Sequence, residues 1–245
     1  MSINQEFDLI FSIGEACSCS ETLRKCRLQF FSYPFDWLFG STFLDRIKLF
    51  CLDIDNFINI DDLEYAYEEK SLLCKAYRNK YTDITFNHDF PKDLSLEHAF
   101  TEVKSKYNRR IKRLVQHIEQ SKRVLVVYIQ TPNNQSVLSK EEILDGYKIL
   151  NDKYGDKINL LYLFSDSNYQ YNDKFIVDLN ENVTCIKFDY NAYNKDIPYA
   201  VNKKLLIALF NKIKITDKFM TTKNKFRRFV YKFTLFFKGD LWKRY

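Results

Sequence analysis

Phe7-Asp8-Leu9-Ile10-Phe11-Ser12-Ile13-Gly14-Glu15-Ala16-Cys17 is the stretch that decides the fold. Residues 7–13 form a nearly continuous apolar run of the length of one buried strand. Gly14 interrupts it, and Ser20-Glu21-Thr22-Leu23-Arg24 reads as the start of a helix. A strand that turns directly into a helix opens a β-α unit, and Cys17 stands on its corner. A thiol there lies near free backbone N–H groups and the positive end of a helix dipole, and both favour the thiolate.

Downstream, the same unit recurs. Val124–Ile129, Ile158–Phe164 and Val183–Phe188 are three more short apolar runs that read as buried strands. Helical spacing lies between and around them. Ile111, Leu114, Val115 and Ile118 share one face of a helix predicted over 94–121. Glu141–Tyr154 forms a second, with Gly155 at its C-cap, and Tyr199–Ile213 a third. Such alternation predicts an α/β fold with a mainly parallel sheet and helices on both faces. The strand ending at Ser12 joins that sheet. Region 38–86 reads as a helical, irregular insertion after this first strand, covering one edge. Reactive groups in such folds gather at the carboxyl ends of the strands, which is where Cys17 falls.

Composition narrows the function classes. The chain has 245 residues, 46% of them hydrophobic, enough for a sizeable core. With five Gly and four Pro, long flexible linkers are not expected. The net charge is +6, but residues 218–245 carry nine Lys/Arg against Asp240 alone. That tail holds +8 and leaves −2 for residues 1–217. The expected organisation is one α/β domain over 1–217 and a basic tail over 218–245. A near-neutral body argues against nucleic acid as a partner. Six scattered cysteines without paired CxxC motifs argue against a zinc site and for free thiols in a reducing compartment. Neither a secretory leader nor an apolar run of about 20 residues is read in the sequence. No metal or cofactor is expected. The expected location is the cytoplasm.

A cysteine nucleophile needs a base and donors for the developing oxyanion. His88, between a strand-like Ile84-Thr85-Phe86 and Pro91, is expected on a loop and is the candidate base. His98 and His117 fall within the long helix and read as solvated or packing residues. Asp89 or Asp36 could orient the His88 ring. Asp36 belongs to Ser32-Tyr33-Pro34-Phe35-Asp36-Trp37, which reads first as an aromatic anchor and second as part of the site. Backbone N–H groups after Gly14 are expected to hold the oxyanion, which makes Gly14 part of the expected substrate site. Cys17 reads equally as a small packing residue, and Cys19 is a rival thiol with a stronger packing reading. Arg110 and Arg113, at i,i+3 on one helix face, could grip phosphate or carboxylate, or simply face water.

The tail carries the second signal. Phe226, Phe229, Val230, Phe233, Phe236 and Phe237 make one helical stripe. Arg227, Arg228 and Lys232 flank it, and Trp242 follows. A basic amphipathic helix of this kind suits an anionic membrane surface, the alternative being a helix docked on the body. The expectation is a peripheral contact with the inner membrane face through Phe226, Phe229, Phe233, Phe237, Arg227, Arg228, Lys232 and Trp242.

Taken in order, Ser12-Ile13-Gly14-Glu15-Ala16-Cys17, Leu23-Arg24, Pro34-Phe35-Asp36-Trp37, His88-Asp89-Phe90 and Arg110-Ile111-Lys112-Arg113 resemble a bacterial family of papain-like cysteine peptidases, over roughly 7–190. The resemblance implies Cys17 as nucleophile and His88 as base. It also implies a neighbourhood of surface-polysaccharide and lipopolysaccharide genes. Two features depart from the papain pattern: the α/β alternation after residue 122, and Ser18-Cys19 directly after the nucleophile. Three functions follow as expectations. The first is a thiol hydrolase or acyl-transfer enzyme acting on a peptide or glycan-linked substrate. The second is a transferase or accessory protein of lipopolysaccharide or capsule glycan assembly at the membrane face. The third is a binding module without catalysis. Neither substrate nor oligomeric state is legible.

Overall fold

A computed structural model describes residues 5–69, 73–130, 138–165, 174–188 and 203–238. In chain order its elements begin with β1 (Glu6–Phe7), β2 (Leu9–Ser12), α1 (Cys17–Lys25), β3 (Leu38–Gly40) and α2 (Phe43–Leu52). Next come β4 (Leu63–Glu69), β5 (Cys74–Asn79), β6 (Ile84–Pro91) and α3 (Leu96–Gln120). They are followed by β7 (Val124–Ile129), α4 (Lys140–Tyr154), β8 (Ile158–Ser165), β9 (Lys174–Asp178) and β10 (Val183–Phe188). α5 (Lys203–Phe210), β11 (Lys214–Ile215) and α6 (Thr222–Lys238) end the described chain.

The central sheet has the order β2-β7-β8-β10-β9. β2, β7, β8 and β10 run parallel, with Leu9 opposite Val124 and Val124 opposite Ile158. β9 pairs antiparallel with β10 and makes the sheet mixed. Every side chain of β7 is buried, so its two faces feed two cores. Val124, Val126 and Tyr128 pack with α2, α3 and α4 through Phe43, Tyr107 and Ile143. Leu125, Val127 and Ile129 pack with α1 and α5 through Leu23, Leu206 and Leu209. Each fully buried side chain of this size contributes roughly 1.5–3 kcal/mol. The fold is therefore α/β with helices on both faces of the sheet.

The insertion differs from the helical expectation. Within 38–91 there is one α-helix, α2, and a separate antiparallel sheet of order β3-β6-β5-β4. The physical reason lies in residue type: these strands are rich in Tyr and Phe, which suit a pleated half-buried surface. The β5–β6 turn is set by Asn79, whose Oδ1 accepts from Tyr81 N at 2.9 Å and Thr82 N at 3.0 Å. A second consequence follows for His88, expected on a loop. It lies inside β6, flanked in sequence by residues of opposite facing.

Helix ends obey local chemistry. α4 begins in a capping box, where Ser139 Oγ accepts from Glu142 N and the Glu142 carboxylate accepts from Ser139 N. It stops at Gly155, whose φ of +80° is left-handed. Residues 199–202 of the helix expected over 199–213 lie outside the described residues.

α6 is tied down at its root. β1 pairs with β11, and Thr216 donates to Phe7 O at 2.8 Å and to Asp8 Oδ1 at 3.0 Å. Arg228 Nη1 donates to Arg27 O at 2.7 Å, Tyr231 OH to Asn211 Oδ1 at 2.8 Å, and Lys232 Nζ to Asn211 O at 3.1 Å. Arg228 and Lys232, expected at a lipid surface, thus face the body. Phe226, Phe229 and Phe233 face outward, 56–68% exposed. Trp242 and the side chain of Phe237 lie outside the described residues. No helix among the described residues is long and apolar enough to cross a membrane.

Candidate functional site

The corner between β2 and α1 is built around two close approaches. Gly14 sits where any Cβ would come 2.4 Å from Cys19 Cβ, so only glycine lets α1 pack this tightly on the turn. Gly14 N donates to Ser12 Oγ at 3.0 Å, which commits that N–H to the turn itself. The carbonyls of Gly14 and Glu15 point inward and need donors.

Arg46 supplies them. Its Nη1 donates to Gly14 O at 2.7 Å and its Nη2 to Glu15 O at 3.1 Å. Its Nε and Nη2 also donate to Gly40 O at 3.0 and 2.6 Å. The side chain is fully buried. Burial lowers its pKa to about 10, which leaves it charged at neutral pH, with Tyr128 and Glu15 acting the other way. Gly40 takes φ +72°, and a Cβ there would meet Asp83 O at 2.5 Å. Arg46 was not foreseen as a site residue. Its signal was an arginine on the buried α2 stripe of Phe43, Ile47 and Phe50.

Cys17 is the first residue of α1. The N-cap, Ala16, offers no side-chain hydrogen bond to the helix N–H groups. Cys17 and Cys74 are half-buried, whereas Cys19, Cys26, Cys51 and Cys185 are buried. The backbone of Cys17 and Ser18 acts to lower the Cys17 pKa, as the helix-start position predicts. Burial outweighs this effect, however, and Glu21 one turn along adds to the rise. The net direction is upward, opposite to the expected shift: in the free protein Cys17 is held as a thiol. Cys19 is pushed further, to about 12, chiefly by burial, and its Sγ donates to Val127 O at 3.6 Å. Its role is packing under the turn.

Asp36 is the hub of the loop after α1. Its Oδ2 accepts from Arg24 Nη2 at 2.7 Å, Gln29 Nε2 at 2.7 Å and Tyr33 N at 2.9 Å. Its backbone carbonyl accepts from Ser20 Oγ at 2.6 Å. Burial raises the Asp36 pKa, and the Arg24 guanidinium opposes that rise. The carboxylate is therefore spent on anchoring residues 29–36 to α1. Trp37 follows directly. Arg24 lies over its ring at 5.8 Å, and the His88 ring meets it edge-on at 6.0 Å.

His88 thus approaches α1 through Trp37 and Arg24. Arg24 lies seven residues, about 10 Å of helix, beyond Cys17 on the same face. Among the described residues no hydrogen bond joins Cys17 to His88. Asp89 faces the other side of β6, where Lys106 Nζ and Tyr107 OH, the latter at 2.7 Å, donate to its carboxylate. It fixes α3 and does not orient His88. Arg113 donates to Ser32 O at 3.1 Å and covers Phe31, so it holds the loop. Arg110 covers Tyr107 and keeps a buried Nη1 without a hydrogen-bond partner. His117 meets Tyr33 OH through Nδ1 at 2.8 Å and stacks on Phe219. Among the described residues no group of three His, Cys, Asp or Glu side chains is placed to hold a metal ion.

The structure therefore brings together Arg24, Asp36, Trp37 and His88 on one side of α1, with Cys17 at the N-terminus of that helix. Asp89 and Arg113 are directed elsewhere.

Uncharacterized protein R408 of Acanthamoeba polyphaga mimivirus is 26% identical over 154 residues, which cover 56% of this chain and 69% of that protein. That relative is viral, where the sequence resemblance pointed to bacterial proteins. No solved structure matches. Residues 8–152, which hold the Cys17 corner, Arg46, the Asp36 hub and His88, match the model of the family described as "Putative papain-like cysteine peptidase (DUF1796)", and the chain belongs to that family.

Proposed function

We propose that the protein is a cysteine-dependent hydrolase or acyl-transfer enzyme in which Cys17 is the nucleophile and His88 the proton acceptor. The observation that carries this reading is the position of Cys17. It is the first residue of an uncapped helix, just past the carboxyl end of a parallel strand. The thiolate attacks an acyl carbonyl carbon and forms a C–S bond. The proton released from sulfur goes to His88 and then to the leaving amine or alcohol. Water, or another acceptor in a transfer reaction, resolves the acyl-enzyme.

The reading requires a gated version of this step, because among the described residues no hydrogen bond joins Cys17 to His88 in the resting protein. The thiol is protonated and the imidazole rests on Trp37, so the Cys17–His88 contact forms as the substrate carbonyl enters; catalytic contacts commonly tighten on binding. The substrate is a peptide or a glycan-linked acyl compound. A panel of peptide and simple ester substrates tests the reading. Cys17→Ala should abolish turnover with an unchanged unfolding midpoint, and His88→Ala should lower it by about 10²-fold or more. Full turnover in Cys17→Ala rejects the nucleophile.

A second reading, a transferase or accessory protein of surface-glycan assembly, rests on the unpartnered buried Nη1 of Arg110. It lost its second arginine when Arg113 proved committed to the loop. Loss of anionic sugar-donor binding in Arg110→Ala, with Cys17→Ser unaffected, would favour it.

A further inference from the structure

α6 turns its polar side inward. Arg228, Tyr231 and Lys232 bond to the body, which leaves Phe226, Phe229, Val230 and Phe233 pointing to solvent. Phe226 and Phe229 are 68% and 67% exposed. A surface helix normally does the reverse, so this apolar stripe is solvent-exposed on a well-anchored element.

Charge identifies what fits it. Residues 211–238 hold nine Lys/Arg and Asp217 as the sole acidic residue. Arg227 and Lys223 are exposed on one flank of the stripe, and Lys225, paired with Asp217 at 3.2 Å, lies on the other. Beside the Arg227 flank, Arg27 from the turn after α1 joins Phe226, Arg227, Val230, Tyr231 and Thr234 in lining a groove. Arg27 Nε is buried there without a hydrogen-bond partner. Two guanidiniums next to a phenylalanine stripe match a phosphate headgroup above acyl chains. A second copy of the chain would bring like-charged flanks together, which disfavours self-association through this face.

The geometry points to α6 as an interfacial helix that seats on an anionic phospholipid surface. Phe226, Phe229, Val230 and Phe233 enter the acyl boundary, and Arg27 and Arg227 hold lipid phosphate. This contact is independent of the thiol chemistry.

Sedimentation of the full chain with phosphatidylcholine vesicles, with and without phosphatidylglycerol, tests it. The protein should pellet with the anionic vesicles, remain largely free with neutral ones, and be released by salt. Phe226→Ala/Phe229→Ala/Phe233→Ala should abolish pelleting while leaving turnover of a soluble ester unchanged. Arg27→Gln/Arg227→Gln should weaken it about 30-fold, at ~1 kcal/mol per cation. Failure to pellet with anionic vesicles overturns the inference, as does equal binding to both vesicle types. A dimer in solution that the triple variant dissociates, with no vesicle binding, assigns the face to a second copy and also overturns it.

Discussion

The two candidate catalytic residues belong to two different sheets. Cys17 follows β2 of the parallel sheet, while His88 lies in β6 of the antiparallel one. An interior strand of the first sheet, β7, is buried on both faces; the outermost strand of the second, β4, is mostly exposed. A pair of arginine links ties together the segments that carry the two residues. Arg46 joins the Gly14–Glu15 turn to Gly40 at the end of β3. Arg24 joins α1 to Asp36 and lies over Trp37, which touches His88. The two sheets share one core, in which Phe11, Val126 and Leu160 pack in the same cluster as Leu38, Phe86 and Phe90, so the comparison teaches that the arginine links fix the relative placement of two elements already packed together.

Breaking the first link should have the largest effect. Arg46→Met removes a buried cation and strands three carbonyls, at a cost of roughly 3–5 kcal/mol. A urea titration should show the loss, and Arg46→Lys should restore only part of it because an ammonium cannot span the same fork. A midpoint within experimental error of the parent would contradict the role given to Arg46.

Arg24→Ala comes next, at about 2–4 kcal/mol near neutral pH, since it leaves the buried Asp36 carboxylate without its counter-charge. The sign with pH follows from the raised Asp36 value. An acid whose folded pKa is raised favours folding most below the ordinary carboxyl range and loses that contribution as pH rises through the folded value. Removing Arg24 raises it further. The gap between variant and parent should therefore be full at neutral pH and narrow as the solution is acidified. A gap that is constant with pH would mean the Asp36 charge plays no part.

Much of this comparison was legible before the structure, but unevenly. The strands at 124–129, 158–165 and 183–188 were readable because a strand buried on both faces is a continuous apolar run. The antiparallel sheet was not, because β4 and β5 are half-exposed and aromatic residues stand on both faces. The corner at Gly14–Cys17 was read correctly as strand to helix. The pKa direction of Cys17 was not, since helix-end effects are local in sequence whereas burial and Glu21 act through packing. In α6 the stripe was plain, but which side meets the body depended on carbonyls of Arg27 and Asn211 that no local pattern announces.

Smaller perturbations sharpen the picture around the thiol. Gly14→Ala forces a Cβ against Cys19 and should cost roughly 1–3 kcal/mol; Cys19→Ala in the same chain should recover part of it. Glu21→Gln should have the smallest effect. It removes an exposed negative charge that disfavours the thiolate, so alkylation of Cys17 at neutral pH should quicken about two- to threefold.

The most direct measurement compares Cys17 with Cys74, the other half-buried thiol, inside one molecule. The intact protein would be treated with a peptidyl vinyl sulfone and the two cysteines read separately by peptide mass spectrometry, in the parent and in His88→Ala. Plain iodoacetamide, which does not occupy an acyl site, should find both thiols slow at neutral pH because burial holds each protonated. With the peptidyl reagent the account predicts labelling of Cys17 about 10²-fold faster than Cys74, with the excess lost in His88→Ala. Equal rates at the two cysteines, or a Cys17 rate indifferent to His88, would contradict it.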